Sequence, residues 1–167
     1  DPKTGMPVEY DPSKSLQTYA AGVISRGSDP IDHCPHITGG VNYYPTAYNP
    51  ETGIAYGAGQ EGCSEIATQE MAAEDVMPGV IFLGGTYAGS SEQTGSITAM
   101  DVTTSEQVAK QNMPYPNHSG VLVTPEVVYS GSLDGTMGAY DATTLEPLWS
   151  VNVGTSFRAP PRECRRS

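Results

Sequence analysis

The chain has 167 residues, a formal net charge of −11, and 19 Gly, 14 Pro and 10 Tyr. That length is enough for one domain with a sizeable core, and the acidic balance argues against nucleic acid or an anionic membrane as a partner. No apolar run is long enough to span a bilayer, and a Gly- and Pro-rich chain without helical periodicity reads as all-β.

The chain opens on Asp1-Pro2-Lys3-Thr4-Gly5 without a signal peptide, in the middle of a motif, as if continuing a longer polypeptide. The motif returns as Ala47-Tyr48-Asn49-Pro50-Glu51-Thr52-Gly53, as Ala99-Met100-Asp101-Val102-Thr103-Thr104-Ser105-Glu106, and as Ala139-Tyr140-Asp141-Ala142-Thr143-Thr144-Leu145-Glu146-Pro147-Leu148-Trp149. Its Asp or Asn positions lie 48, 52 and 40 residues apart, the spacing of repeated four-stranded sheets. In each copy the Asp or Asn side chain is expected to accept from backbone amides of its own turn, with Gly taking a positive φ.

Between the copies, residues 26–38 read as loop, and strands are expected near 43–48, 54–58, 80–84 and 96–101. Residues 66–76 read as a loop or one short helix. The last repeat predicts a complete blade, with strands at 120–124, 127–130, 137–141 and 148–151. Pro125-Glu126 joins the first two, and Asp134-Gly135 is a strong hairpin signal between the next two. Four-stranded antiparallel blades in tandem make a β-propeller. A blade cannot bury both faces alone, so further blades are expected around these.

The chain holds three cysteines, Cys34, Cys63 and Cys164, leaving one odd after any internal pair. His33-Cys34-Pro35-His36 brings three metal-type donors close together, but no Cys-x-x-Cys partner completes a zinc set. Asp101, Asp134 and Asp141 read as turn residues. No carboxylate pair has the context of a catalytic dyad, and no Gly-x-Ser-x-Gly, phosphate loop or dinucleotide fingerprint is present. Asn42 reads as a loop residue bonding its own backbone or as a ligand contact, and Asn117 and His118 as a polar blade-top loop.

The repeat, Ala-x-Asp-x-x-Thr-Gly-x-x-x-Trp, resembles the tryptophan-docking motif of quinoprotein alcohol dehydrogenases. Leu145 stands at its Gly position in the last copy, and Ser105 and Ala109 at the Gly and Trp positions of the copy before. A second block, Cys34-Pro35-His36-Ile37-Thr38-Gly39-Gly40-Val41-Asn42-Tyr43-Tyr44 running on to Tyr48-Asn49-Pro50-Glu51-Thr52-Gly53, resembles the Cys-Pro…Gly-Gly-x-Asn-Trp…Tyr-Asn-Pro-x-Thr-Gly stretch of the same family. Ser130-Gly131-Ser132-Leu133-Asp134-Gly135 resembles a third family block. The resemblance covers residues 1–161 and implies the C-terminal part of an eight-bladed propeller.

That resemblance implies oxidation of an alcohol by two-electron transfer to pyrroloquinoline quinone (PQQ), with Ca²⁺ or a lanthanide as Lewis acid. In the family the metal ligands and the catalytic Asp lie upstream of the blades matched here, so this chain alone is expected to be inactive. Asn42, eight residues after Cys34, matches an asparagine that contacts PQQ, with Tyr43 in place of the usual Trp. Asn117 and His118 match a loop lining the cofactor face, and Arg158 matches a position facing the quinone. Cys34 and Cys63, 29 residues apart, match a family disulfide, one that would stabilise by roughly 3–4 kcal/mol in an oxidising compartment. Implied partners are a small alcohol, an electron acceptor such as a cytochrome c, and the remaining blades; the implied location is the periplasm. The alternative is a non-catalytic propeller-repeat scaffold or assembly protein of the cell envelope.

The resemblance ends at Pro161. Residues 1–157 carry four basic and 18 acidic side chains, whereas four of the five arginines fall in the last ten residues. The tail Arg162-Glu163-Cys164-Arg165-Arg166-Ser167 therefore reads as a frameshift, a truncation junction or a separate basic extension.

Overall fold

The computed structural model describes residues 29–81, 84–89 and 91–162. In chain order its strands are β1 (Ile31–His33), β2 (Ala47–Asn49), β3 (Ile54–Glu61), β4 (Ser64–Thr68), β5 (Gly85–Gly89) and β6 (Thr94–Asp101). There follow β7 (Gln107–Met113), β8 (Val121–Val123), β9 (Val127–Gly131), β10 (Thr136–Asp141) and β11 (Pro147–Asn152). The chain divides into two compact units, and the larger, Asp32–Glu65 with Tyr87–Ser167, contains both four-stranded sheets.

The expected complete blade is present: its antiparallel sheet runs in the order β11-β10-β9-β8. A second sheet, β2-β3-β6-β7, repeats the plan one copy earlier. The copies agree in detail. Ala99 pairs with Ala109 and Met100 with Gln107, while Ala139 pairs with Trp149 and Tyr140 with Pro147. Each outer strand thus carries one extra residue at the same place, a β-bulge, and Ala109 occupies the position of Trp149.

The turn chemistry repeats too. Asp101 Oδ1 accepts from the Thr103 and Thr104 amides at 2.7 and 3.3 Å, and Asp141 Oδ1 from those of Thr143 and Thr144 at 2.8 and 2.9 Å. Asn49 Oδ1 accepts from the Glu51 amide at 3.0 Å. At the Gly position of the motif, Gly53, Ser105 and Leu145 have φ of 72°, 61° and 59°. Two non-glycine residues therefore hold a left-handed conformation that glycine adopts without steric cost.

Alternation along the strands builds the core. Tyr56, Ile97, Ala99 and Met113 of the first sheet join Val121, Val128, Tyr140, Ala142 and Leu145 of the second blade in one buried cluster. Asn49 Nδ2 reaches the Pro125 carbonyl at 3.3 Å, so the two blades also share polar bonds at the edge of that core.

Where the second blade joins β9 to β10 by a short turn, the first makes an excursion between β3 and β6 that contains β4, a 3-10 helix at Ala73–Asp75, and β5. Strands β1, β4 and β5 form a three-stranded sheet. Residues Ile66–Thr86 belong to the other compact unit.

Several expectations are corrected. The strand near 43–48 is confined to Ala47–Asn49, since Pro45 lacks the amide a ladder needs. No strand starts at 80; residues 82 and 83 lie outside the described set, Gly84 has φ of 76°, and pairing begins only at Gly85. Within 26–38, read as loop, residues 31–33 form β1, and 26–28 lie outside the described residues. The 66–76 stretch divides between the end of β4 and the 3-10 helix. Strand β7 was not expected, because Gln-Val-Ala-Lys-Gln-Asn-Met is too polar to announce itself. The first motif copy, Asp1 to Gly5, and the tail from Glu163 with Cys164 also lie outside the described residues. Among the described residues no helix is long and apolar enough to cross a membrane.

Candidate functional site

The loop after Cys34 folds back along the end of β3. The His36 amide donates to the Gly62 carbonyl at 2.6 Å, and Gly40 exchanges two backbone bonds with Gln60 at 2.9 and 3.0 Å. Gly39 is required here: a Cβ would sit 2.8 Å from the His36 carbonyl and 3.2 Å from that of Gln60. A Cys34–Cys63 disulfide, with Cα atoms 4.4 Å apart, closes the same loop.

This clamp gathers a polar network around Gln60, which is 4% exposed. Gln60 Oε1 accepts from Thr38 Oγ1 at 3.0 Å and lies 2.9 Å from His118 Nε2. Gln60 Nε2 donates to Gln93 Oε1 at 2.9 Å and lies 3.4 Å from His36 Nδ1. Thr38 reaches the same His36 nitrogen through Oγ1 at 2.8 Å and its amide at 3.2 Å.

His118 is half-buried and stacks on the buried ring of Tyr44, with centroids 4.9 Å apart and planes 12° from parallel. Tyr44 in turn packs on Tyr43 at 4.5 Å, and Tyr43 is 80% exposed. Burial, and after it the nearby positive charge of Arg158, hold the His118 pKa below the ordinary imidazole value. Burial raises that of Tyr44, with Arg158 acting in the opposite sense. Asn42, Tyr43, Tyr44 and His118 therefore form one row, an amide, two phenol rings and an imidazole, on which the charge of Arg158 acts.

The structure gives the four expected contact residues different situations. Asn42 is exposed; its Oδ1 accepts from the Tyr43 amide at 2.8 Å, and its Nδ2 makes one long bond to the Thr38 carbonyl at 3.4 Å. Asn117 is fully buried. Its Nδ2 donates to Ser130 Oγ at 2.8 Å and approaches Met113 Sδ at 3.3 Å, while its Oδ1 accepts from the amide and hydroxyl of Ser119. With donors and acceptor occupied inside the blade, Asn117 fixes the loop that presents His118. A Cβ at Gly95 would collide with Tyr115 O and Asn117 N, so that glycine lets the loop lie flat on β6. Arg158 is exposed, and its charge reaches His118 and Tyr44.

Sequence reasoning missed Gln60, Gln93, Thr38, His36 and Tyr44 as members of this site. One signal was available: in the run Ala58-Gly59-Gln60, position 60 shares the inward face with Ala58, and a buried polar residue in a strand needs partners. The zinc arrangement does not form. Cys34 is in the disulfide, His33 Nδ1 lies 3.2 Å from the Pro35 carbonyl, and His36 faces Thr38. Among the described residues no three His, Cys, Asp or Glu cluster so as to hold a metal ion.

No family model matches the chain. It is 33% identical to a quinoprotein ethanol dehydrogenase of Pseudomonas putida, across 96% of this chain and 26% of that protein. It is 31% identical to a lupanine 17-hydroxylase [cytochrome c] of a Pseudomonas species, across 96% of this chain and 22% of the relative. The solved quinohemoprotein alcohol dehydrogenase from Comamonas testosteroni superposes with a TM-score of 0.70 at 27% identity, covering 81% of this chain and 22% of that structure. The chain thus spans about a quarter of the length of the relatives it matches. Shared sequence blocks, repeated four-stranded blades and this superposition lead to one conclusion: the chain belongs to the quinoprotein alcohol and methanol dehydrogenase family and corresponds to the C-terminal part of the β-propeller in these longer proteins.

Proposed function

We propose that the whole protein is a PQQ-dependent alcohol dehydrogenase, and that this chain forms one wall of its quinone site without being active alone. The observation that carries this reading is the row from Asn42 through Tyr43 and Tyr44 to His118, with the charge of Arg158 acting on its last two members. PQQ is a planar, anionic quinone. The exposed Arg158 guanidinium offers it charge, the Asn42 amide keeps donor capacity beyond its one 3.4 Å bond, and the exposed Tyr43 ring offers a stacking surface. Asn117 acts beneath them, by holding His118 in place.

PQQ, when bound, supplies a quinone able to take two electrons from an alcohol, with Ca²⁺ or a lanthanide as Lewis acid. The described residues offer no cluster of metal ligands, so on this reading the ion and the catalytic base are held by the rest of the protein. The remaining blades are the first partner. Leu148, Trp149 and Val151 on β11 are 54%, 51% and 49% exposed, an apolar strip that a neighbouring blade would cover. A cytochrome c acceptor follows the name of the lupanine relative, and a disulfide suits the periplasm.

The test is to express the whole protein, reconstitute it with PQQ and Ca²⁺ or a lanthanide, and follow dye reduction with primary alcohols. Alcohol-dependent reduction that needs PQQ and weakens in Asn42→Ala and Arg158→Ala supports the reading. A folded whole protein that takes up no PQQ would instead favour an envelope scaffold.

A further inference from the structure

We propose that Gln60 and Gln93 are positioning residues that fix His118 as its Nε2–H tautomer, so that Nδ1 serves as a hydrogen-bond acceptor for the hydroxyl of the alcohol. The part concerning the alcohol rests on the proposed function; the part concerning the tautomer does not.

Two backbone carbonyls, which can only accept, set the first orientation. Gln93 Nε2 lies 3.0 Å from the Ser91 carbonyl and 3.3 Å from that of Cys63. Both contacts require the amide nitrogen of Gln93 on that side, which turns its Oε1 toward Gln60. An oxygen there needs a donor, so Gln60 presents Nε2 to it, at 2.9 Å. Gln60 Oε1 is thereby turned the other way, toward Thr38 Oγ1 and His118 Nε2. An amide oxygen opposite an imidazole nitrogen at 2.9 Å is a hydrogen bond only if that nitrogen carries the proton.

His36 Nδ1 faces Thr38 Oγ1 at 2.8 Å, the Thr38 amide at 3.2 Å and Gln60 Nε2 at 3.4 Å; because Thr38 Oγ1 gives its one proton to Gln60 Oε1, these contacts neither assign the His36 tautomer nor fix the Gln60 amide. Every amide orientation in the chain Cys63, Gln93, Gln60, His118 follows from the first.

The proton on His118 is thus assigned to Nε2 from outside the ring, and Nδ1 has no partner among the described residues. Tyr44 covers one ring face and holds the plane. An imidazole with a free lone pair accepts from O–H and repels another acceptor. This selects a protic group, such as an alcohol hydroxyl, over a carboxylate or quinone oxygen as the neighbour of Nδ1.

The tautomer is readable by ¹⁵N NMR of the 167-residue chain labelled at histidine, without quinone or turnover. The expected wild-type pattern at neutral pH is a single tautomer for His118, with protonated Nε2 and unprotonated Nδ1. In Gln93→Leu, a half-buried position whose loss leaves both strands paired, the Gln60 amide is free to flip and the pattern collapses to a mixture. In Gln60→Glu the carboxylate still accepts, so Nε2–H is retained while the His118 pKa rises; Gln60→Met removes the acceptor and gives the mixture. Wild-type His118 with its proton on Nδ1, or an unchanged single tautomer in Gln93→Leu and Gln60→Met, would overturn the proposal. Should the Gln60 variants fail to fold, the wild-type and Gln93→Leu spectra still decide it. A fixed Nε2–H tautomer in a protein that never binds PQQ would remove the functional reading and leave this one standing.

Discussion

The Tyr56 hydroxyl donates a 2.7 Å hydrogen bond to the carbonyl of Ala142, 86 residues further along the chain, in a buried contact. One partner lies on β3 of the first blade and the other in the Asp141 turn of the second. Burial raises the Tyr56 pKa above the ordinary phenol value, so at neutral pH the hydroxyl keeps its proton and donates. Removing it in Tyr56→Phe leaves the carbonyl without this partner and should cost about 1–2 kcal/mol. A fall in the urea midpoint with an unchanged slope checks this.

The motif's Gly position separates two kinds of strain. Ser105 is exposed with φ of 61° and contributes little packing, so Ser105→Gly should stabilise by about 0.5–1 kcal/mol. Leu145 has the same backbone conformation at φ of 59° but is fully buried in the core. There Leu145→Gly should destabilise by about 2–4 kcal/mol despite the backbone relief. Thermal unfolding of both variants gives opposite signs if each residue acts as its position indicates.

His118 gives a pH dependence whose sign is fixed. Its pKa is held down in the folded state, by burial first and Arg158 second. As pH falls through the ordinary imidazole value, the unfolded chain takes up this proton before the folded one. The contribution to stability is therefore complete above that value, declines as pH drops toward the folded pKa, and declines no further below it. In Arg158→Gln the His118 pKa should move upward and the acid-side loss should shrink. NMR titration of the ring, with urea unfolding at several pH values, checks both.

The Cys34–Cys63 crosslink closes a loop with a sequence separation of 29. Cys34→Ser with Cys63→Ser should cost about 3–4 kcal/mol on the chain-entropy view, and reduction of the wild type should cost a similar amount. Comparing unfolding with and without a reductant measures it, and the double variant should not respond to the reductant.

What was legible in the sequence was local. The last blade follows from period-2 strands and an Asp-Gly turn, and the repeated Asp turns follow from side chains that reach only two or three residues along the chain. Strand β7 was not legible, because Gln107, Lys110 and Asn112 make it polar and its strand character comes from pairing with β6. The site divides the same way. Asn42, His118 and Arg158 were marked by the blocks around them, whereas Gln60 acquires its role from Gln93 and His118, 33 and 58 residues away. Asn117 was marked as a ligand contact like its neighbour; that the loop between β7 and β8 turns it inward to Ser130 is a matter of packing, which no spacing in the sequence reveals.

The excursion between β3 and β6 is fastened at its base. Cys63 N donates to Ser91 Oγ at 2.8 Å, Gln93 returns to the Cys63 carbonyl, and Gln60 meets Gln93. The strands on either side keep full register from Ile54 opposite Asp101 to Glu61 opposite Thr94. A loop tied at its neck can change length at small entropic cost, about 0.6 kcal/mol per doubling. The first blade therefore has a docking port for new sequence, where natural insertions or an engineered reporter can be accommodated with β3 and β6 left in register.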